Sequence, residues 1–146
     1  FEPPTPEIEL AVLFGGQAKL VGLDLPQTEV EPGGQLPLTL YWQGVQPFDR
    51  NWKVFVHLID SQGEIIGQQD QVPGAGQFPT TSWLPGEYLA DSYDLPIPAD
   101  IAGGEAEYRL RVGLYDANDF SRLPVIEAHQ IVGDHVVLDS RLISVR

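Results

Sequence analysis

The chain has 146 residues, the length of one ordinary domain, and 42% of them are hydrophobic, enough for a core of its own. Eight basic against twenty-one acidic residues leave a formal charge of −13, which repels phosphate backbones and anionic headgroups, so no nucleic acid is expected as a partner. The lack of Cys excludes disulfides and thiolate metal sites, and the lack of Met, with Phe1 first, leads us to expect a piece of a longer protein.

Residues 1–7 carry Pro3, Pro4 and Pro6 in a polar stretch, which predicts an extended lead-in. We assign 1–17 to this lead-in and a first strand, and 18–146 to a single domain. A weak strand signal covers 18–25. Over 35–43 the alternation is clear: Leu36, Leu38, Leu40 and Trp42 share one face and Pro37, Thr39, Tyr41 and Gln43 the other. In 52–60 both faces are largely apolar, Val54, Val56 and Leu58 against Phe55, His57 and Ile59, which predicts an interior strand. Asp60, Ser61, Gln62 and Gly63 then supply turn chemistry before a return strand over 64–70.

Further strands are predicted over 87–95 and 108–116, the latter with Tyr108, Leu110, Val112 and Leu114 inward and Arg109, Arg111 and Tyr115 outward. Weaker signals lie at 125–132 and 135–145. Breakers separate them at Pro32, Gly33 and Gly34, at 73–76, at Pro85 and Gly86, and over 96–104. Tyr108, just after Gly103 and Gly104, is placed to hydrogen-bond back across that corner. The sum is an all-β chain, an immunoglobulin- or fibronectin-III-like antiparallel β-sandwich of about seven or eight strands. No apolar run approaches the ~20 residues of a spanning helix.

Catalysis is not expected. There is no Cys, no Gly-x-Ser-x-Gly elbow and no phosphate-cradling glycine loop. His57, His129 and His135 lack ligand spacing, so neither a metal nor any other cofactor is expected; Asp70 or Asp91 is a candidate partner for His57. Calcium would want oxygen clusters, and Asp116 with Asn118 and Asp119, or Asp91 with Asp94, come nearest, but turn chemistry explains them more simply.

The segment 76–83 holds two aromatics among small hydroxyls. We take Gln77, Phe78 and Trp83, with Gln69 and Asp70, as candidate ligand residues, since aromatic faces cover pyranose C–H surfaces while amides and carboxylates meet hydroxyls. The alternative is that Phe78 and Trp83 tuck inward and close one end of the sandwich. Trp42 and Trp52 are expected to pack in the core.

Leu40, Tyr41 and Trp42, then Val54, Phe55, Val56, His57 and Leu58 with Asp60 and Gly63, then Gln69 and Asp70 begin a longer pattern. Pro79, Thr80, Trp83, Pro85, Gly86, Glu87, Asp91, Leu95 and Pro96 continue it; Val112, Gly113, Leu114, Tyr115 and Asp116 with Arg122, Leu123 and Pro124 complete it. The pattern, from about residue 20 to the C-terminus, resembles an uncharacterised β-sandwich domain of bacterial proteins. That domain follows the membrane segment of glycosyltransferases similar to dolichyl-phosphate-mannose protein mannosyltransferases. The chain departs from it at 103–108.

The resemblance implies a non-enzymatic, extracytoplasmic accessory domain, tethered through an N-terminal membrane region, that spaces or weakly binds glycan. The competing expectation is a protein-interaction module docking another chain by an edge strand or the aromatic loop.

Overall fold

The computed structural model describes residues 1–101 and 107–146. In chain order the strands are β1 (Ile8–Phe14), β2 (Ala18–Asp24), β3 (Glu29–Val30), β4 (Gln35–Gly44), β5 (Trp52–Ile59) and β6 (Ile65–Gln71), followed by β7 (Tyr88–Pro96), β8 (Glu107–Asp116), β9 (Val125–Glu127), β10 (Gln130–Gly133) and β11 (Val136–Val145). They form two sheets, β10-β9-β1-β2-β4-β7 and β3-β11-β8-β5-β6, so the chain is all-β and sandwich-like.

Alternation decides what is buried between the sheets. Leu36, Leu38, Leu40 and Trp42 of β4 face Val54, Val56 and Leu58 of β5 and Leu110, Val112 and Leu114 of β8 in one continuous core. Trp42 is fully buried, as its place in the pattern predicts, with Phe14 edge-on at 5.6 Å. β5 is an interior strand, between β8 and β6. The β5–β6 turn uses the predicted chemistry: Asp60 Oδ1 accepts from the backbone N–H of Gln62 and Glu64, both at 2.9 Å, and Gly63 takes a left-handed φ of 82°.

Two expectations need correction. The described residues hold eleven strands rather than seven or eight, and β3 pairs with β11 in parallel, so the sandwich is not wholly antiparallel. A two-residue strand such as β3 has no periodicity to read. The strand expected over 125–132 is a hairpin, β9 and β10, turning through Ala128 and His129 at φ 49° and 63°. Such a turn ordinarily announces itself by Asn-Gly or Asp-Gly, which this sequence lacks. Upstream, β1 pairs with β2 and β9, while Pro6 sits over Gly22, where a Cβ would fall 2.3 Å from its ring. The Gly103 and Gly104 corner behind buried Tyr108 lies outside the described residues.

Candidate functional site

An interior strand with two apolar faces buries one in the core and must cover the other. In β5 the outward residues are Phe55 and His57. Phe55 is 2% exposed yet stands apart from the inter-sheet core, so it is covered on the outer face of its sheet. Its cross-strand neighbours are Gly113 of β8 and Asp70 of β6. A Cβ on Gly113 would lie 2.2 Å from Phe55 Cζ, so the ring lies across bare glycine backbone.

Around this ring a cleft of about 220 Å³ is lined by Phe55, His57, Asp70, Tyr115, Phe120 and Arg122. The His57 ring centre is 4.7 Å from that of Phe55, and Tyr115 is 6.3 Å away. Arg122 Cζ stands 4.5 Å above the Phe55 ring, a cation–π distance. The Tyr115 hydroxyl donates to Asp70 Oδ2 at 2.9 Å. Burial, followed by Asp70, pushes the Tyr115 hydroxyl up to about 12, so it stays a donor.

The loop from β8 to β9 delivers the outer wall. Asp116 Oδ1 accepts from Asn118 N at 2.8 Å, and Asp119 Oδ1 from both N and Oγ of Ser121, which accounts for these carboxylates as turn chemistry. Asp116 Oδ2 also takes the Arg50 guanidinium at 3.1 Å. The turn is closed by Phe120 N to Asp116 O at 2.7 Å and Asp116 N to Ser121 O at 2.8 Å. This geometry holds Phe120 at φ 60° with 74% of its surface exposed. A left-handed backbone costs a residue with a Cβ about 1 kcal/mol. Its ring lies nearly parallel to Tyr115, at 12° with centroids 6.3 Å apart, on the rim of the cleft.

His57 Nδ1 receives Nε and Nη2 of Arg111 at 3.2 and 3.0 Å. A guanidinium has no lone pair to offer, so Nδ1 is the acceptor and the neutral ring carries its proton on Nε2. Burial first, then Arg111, lower its pKa from 6.5 to about 4 against an opposing pull from Asp70, with Arg122 and His135 adding smaller lowering effects. Above that pH the ring is a fixed neutral donor. Asp134, beyond Arg122, bonds His135 at 2.8 Å and Arg122 at 3.4 Å, and these hold its carboxyl below the usual range.

The five ligand residues expected from sequence do not come together. Asp70 lies in the cleft, whereas Gln69, its neighbour along β6, pairs with Val56 on the inner side, its Oε1 buried without a partner. Trp83 is 4% exposed, packed on Trp42 and Phe48 with its indole N–H donating to Phe78 O at 2.8 Å. Gln77 and Phe78 are exposed, and Phe78 packs over Gly74. The turn Thr80–Ser82 is stapled to the start of β5: Thr80 Oγ1 accepts from Trp52 N at 3.1 Å and donates to Arg50 O at 2.9 Å. The segment thus closes one end of the sandwich.

Asp91 is not the partner of His57. It is fully buried in the other sheet, where it accepts from Tyr93 at 2.7 Å, Gln71 Nε2 at 2.8 Å and Gly74 N at 2.7 Å. Desolvation raises its pKa, against lowering by these hydrogen bonds. Asp94, three positions on, is exposed. Among the described residues no group of three or more His, Cys, Asp or Glu side chains converges so as to hold a metal ion.

Sequence reading passed over Phe55, Tyr115, Phe120 and Arg122 as site residues. The signal was present in β5, whose outward Phe55 and His57 needed a cover.

No family model matches the chain, and no curated protein matches it. Among solved structures, the crystal structure of a Bacteroides uniformis beta-glucuronidase is similar at 14% identity and a TM-score of 0.43, over 75% of this chain. The chain spans only 12% of that enzyme's length.

Proposed function

We propose that this chain is a non-enzymatic accessory domain that weakly binds glycan through the outer-face cleft of β5, β6 and β8. Phe120 carries the reading: a large aromatic kept in a left-handed backbone, mostly exposed and aligned with Tyr115, is strain retained at a surface. Aromatic faces offer the apolar side of a pyranose a platform, and Asp70, His57 and Arg122 set hydrogen-bonding groups around it.

The finer fold proposed is immunoglobulin- or fibronectin-III-like, and the setting is the extracytoplasmic part of a membrane glycosyltransferase-like protein, on the resemblance given above. A glycan array followed by isothermal titration of this chain tests the binding. Weak binding lost in Phe120→Ala and Tyr115→Ala is expected; affinity that survives both substitutions would sink the proposal.

A second reading, a protein-interaction module, has one observation in its favour. The edge strand β10 presents Ile131 and Val132, 70% and 56% exposed, on an unpaired flank. Cross-linking of this chain would capture a partner through this edge, and replacing Ile131 with Lys would abolish the capture.

A further inference from the structure

We propose that the glycan residue taken by this cleft carries a carboxylate, received between Arg122 and the Nε2–H of His57, with Arg111 as the positioning residue. The inference rests on the glycan reading and narrows it to an acidic sugar.

Arg111 of β8 stands directly opposite His57 of β5. Its guanidinium turns two N–H groups onto one imidazole nitrogen rather than onto a carboxylate, and among the described residues it has no acidic group within salt-bridge distance. A planar fork suited to a carboxylate is thereby spent on fixing a neutral ring. What this arrangement achieves is a single tautomer. With Nδ1 occupied, the one polar side-chain atom left to His57 is Nε2–H, for which the described residues show no hydrogen-bond partner, and the ring lines the cleft.

Two donor-bearing side chains, His57 and Arg122, therefore line the same cleft beside the Phe55 ring. Arg122 is paired through Nη1 with Asp134 at 3.4 Å, which leaves its other N–H groups, while the adjacent Arg111 meets no acidic side chain among the described residues. The acceptor side of the cleft is Asp70, committed on one oxygen to Tyr115. A uronic or sialic residue matches all three features: its carboxylate meets the donors, its hydroxyls meet Asp70, and its C–H face meets Tyr115 and Phe120. A neutral sugar leaves the His57 Nε2–H and the N–H groups of Arg122 not turned to Asp134 without an anionic partner.

The test is isothermal titration of this chain at pH 7 with two matched pairs, an oligogalacturonate against a galacto-oligosaccharide of equal length, and sialyllactose against lactose. The acidic member of at least one pair is expected to bind about tenfold more tightly, the scale of one charge-assisted hydrogen-bonded contact. Which pair responds identifies the source of the carboxylate. The preference should vanish in Arg122→Gln, a half-exposed side chain whose replacement leaves the core untouched, and in His57→Phe. Imidazole nitrogen shifts should report His57 as the Nε2–H tautomer in the wild type.

Equal affinity within both pairs overturns the carboxylate assignment while leaving glycan binding intact. An acidic preference that persists in both variants overturns it too, because the charge is then read elsewhere. Absence of binding to all four sugars, with the Tyr115 and Phe120 ring signals unmoved, overturns this inference together with the glycan reading.

Discussion

His57 should make the stability of this domain depend on pH in a defined direction. The ring is 7% exposed and its pKa is lowered from 6.5 to about 4, by burial first and by Arg111 next. Between those two values the unfolded chain binds the proton and the folded chain does not, so stability rises with pH across the window. The contribution is fully present above about 6.5 and is lost as pH falls through it towards 4. At about 1.4 kcal/mol per tenfold change the ceiling is about 3 kcal/mol, and the open cleft beside the ring, which lets solvent screen the charge, brings the expectation to about 2 kcal/mol.

Asp91 works against this trend. Its pKa is raised, so from 3.8 upward the folded chain holds the extra proton and stability falls as pH rises. A bare pH profile mixes the two, and the measurement must be a difference. Urea unfolding of the wild type and of His57→Gln, which keeps an acceptor for Arg111 but does not titrate, should be compared at pH 7, 6, 5 and 4. The stability gap between them should change by about 2 kcal/mol from pH 7 to pH 4, the wild type losing ground as pH falls. Profiles that run parallel, or a nuclear magnetic resonance titration of His57 centred near its ordinary 6.5, would refute the reasoning.

Trp83→Ala should cost about 3–5 kcal/mol in urea unfolding, since it empties a site packed by Trp42 and Phe48, and the milder Trp83→Phe should leave sugar affinity unchanged. Phe120→Gly should act in the opposite sense, gaining about 1 kcal/mol by relieving the left-handed strain while weakening binding in titration. Gly113→Ala forces the Phe55 ring from its bed, and about 1–3 kcal/mol of lost stability with a disturbed Arg122 environment should appear in unfolding and in spectra. Asp91→Asn should stay within about 1 kcal/mol of the wild type at pH 7 and lose the acid-side gain, whereas Asp91→Ala strands Gly74 N–H and the Tyr93 hydroxyl and should cost about 2–4 kcal/mol.

The inner architecture was legible because it is written in period two. Leu36 to Trp42 and Tyr108 to Leu114 alternate so regularly that their inward faces follow from the string alone, and the β5–β6 turn carries its own residues in Asp60 and Gly63. Short elements escaped for want of a period or a turn signal: β3 has two residues, and the β9–β10 turn uses Ala128 and His129 where the conformation favours Asn and Gly. Segment 76–83 has a composition that suits either role. A Trp among hydroxyls serves a sugar or a plug, and what decided it was Thr80 reaching back to Trp52 N and Arg50 O across nearly thirty residues of chain, which no local pattern encodes.

The cleft escaped for a related reason, and the same reason explains how it is assembled. Its members come from three strands and one loop, and they meet through register: Phe55 opposite both Asp70 and Gly113, His57 opposite Arg111, Tyr115 bridged to Arg122. A one-residue slip of β6 or β8 against β5 would turn Asp70 or Tyr115 to the other side of the sheet, so the core that fixes the register also fixes the cleft. The cover over Phe55 could have been aliphatic, as in an interior strand with nothing to do. It is instead an arginine, a histidine held in one tautomer and a tyrosine against which an exposed phenylalanine in an unfavourable backbone is stacked. Each is a worse covering than leucine for stability, and each presents a polar atom or an aromatic face to whatever enters. Local choices that oppose stability at several neighbouring positions are what the glycan proposal accounts for and a purely structural cover does not.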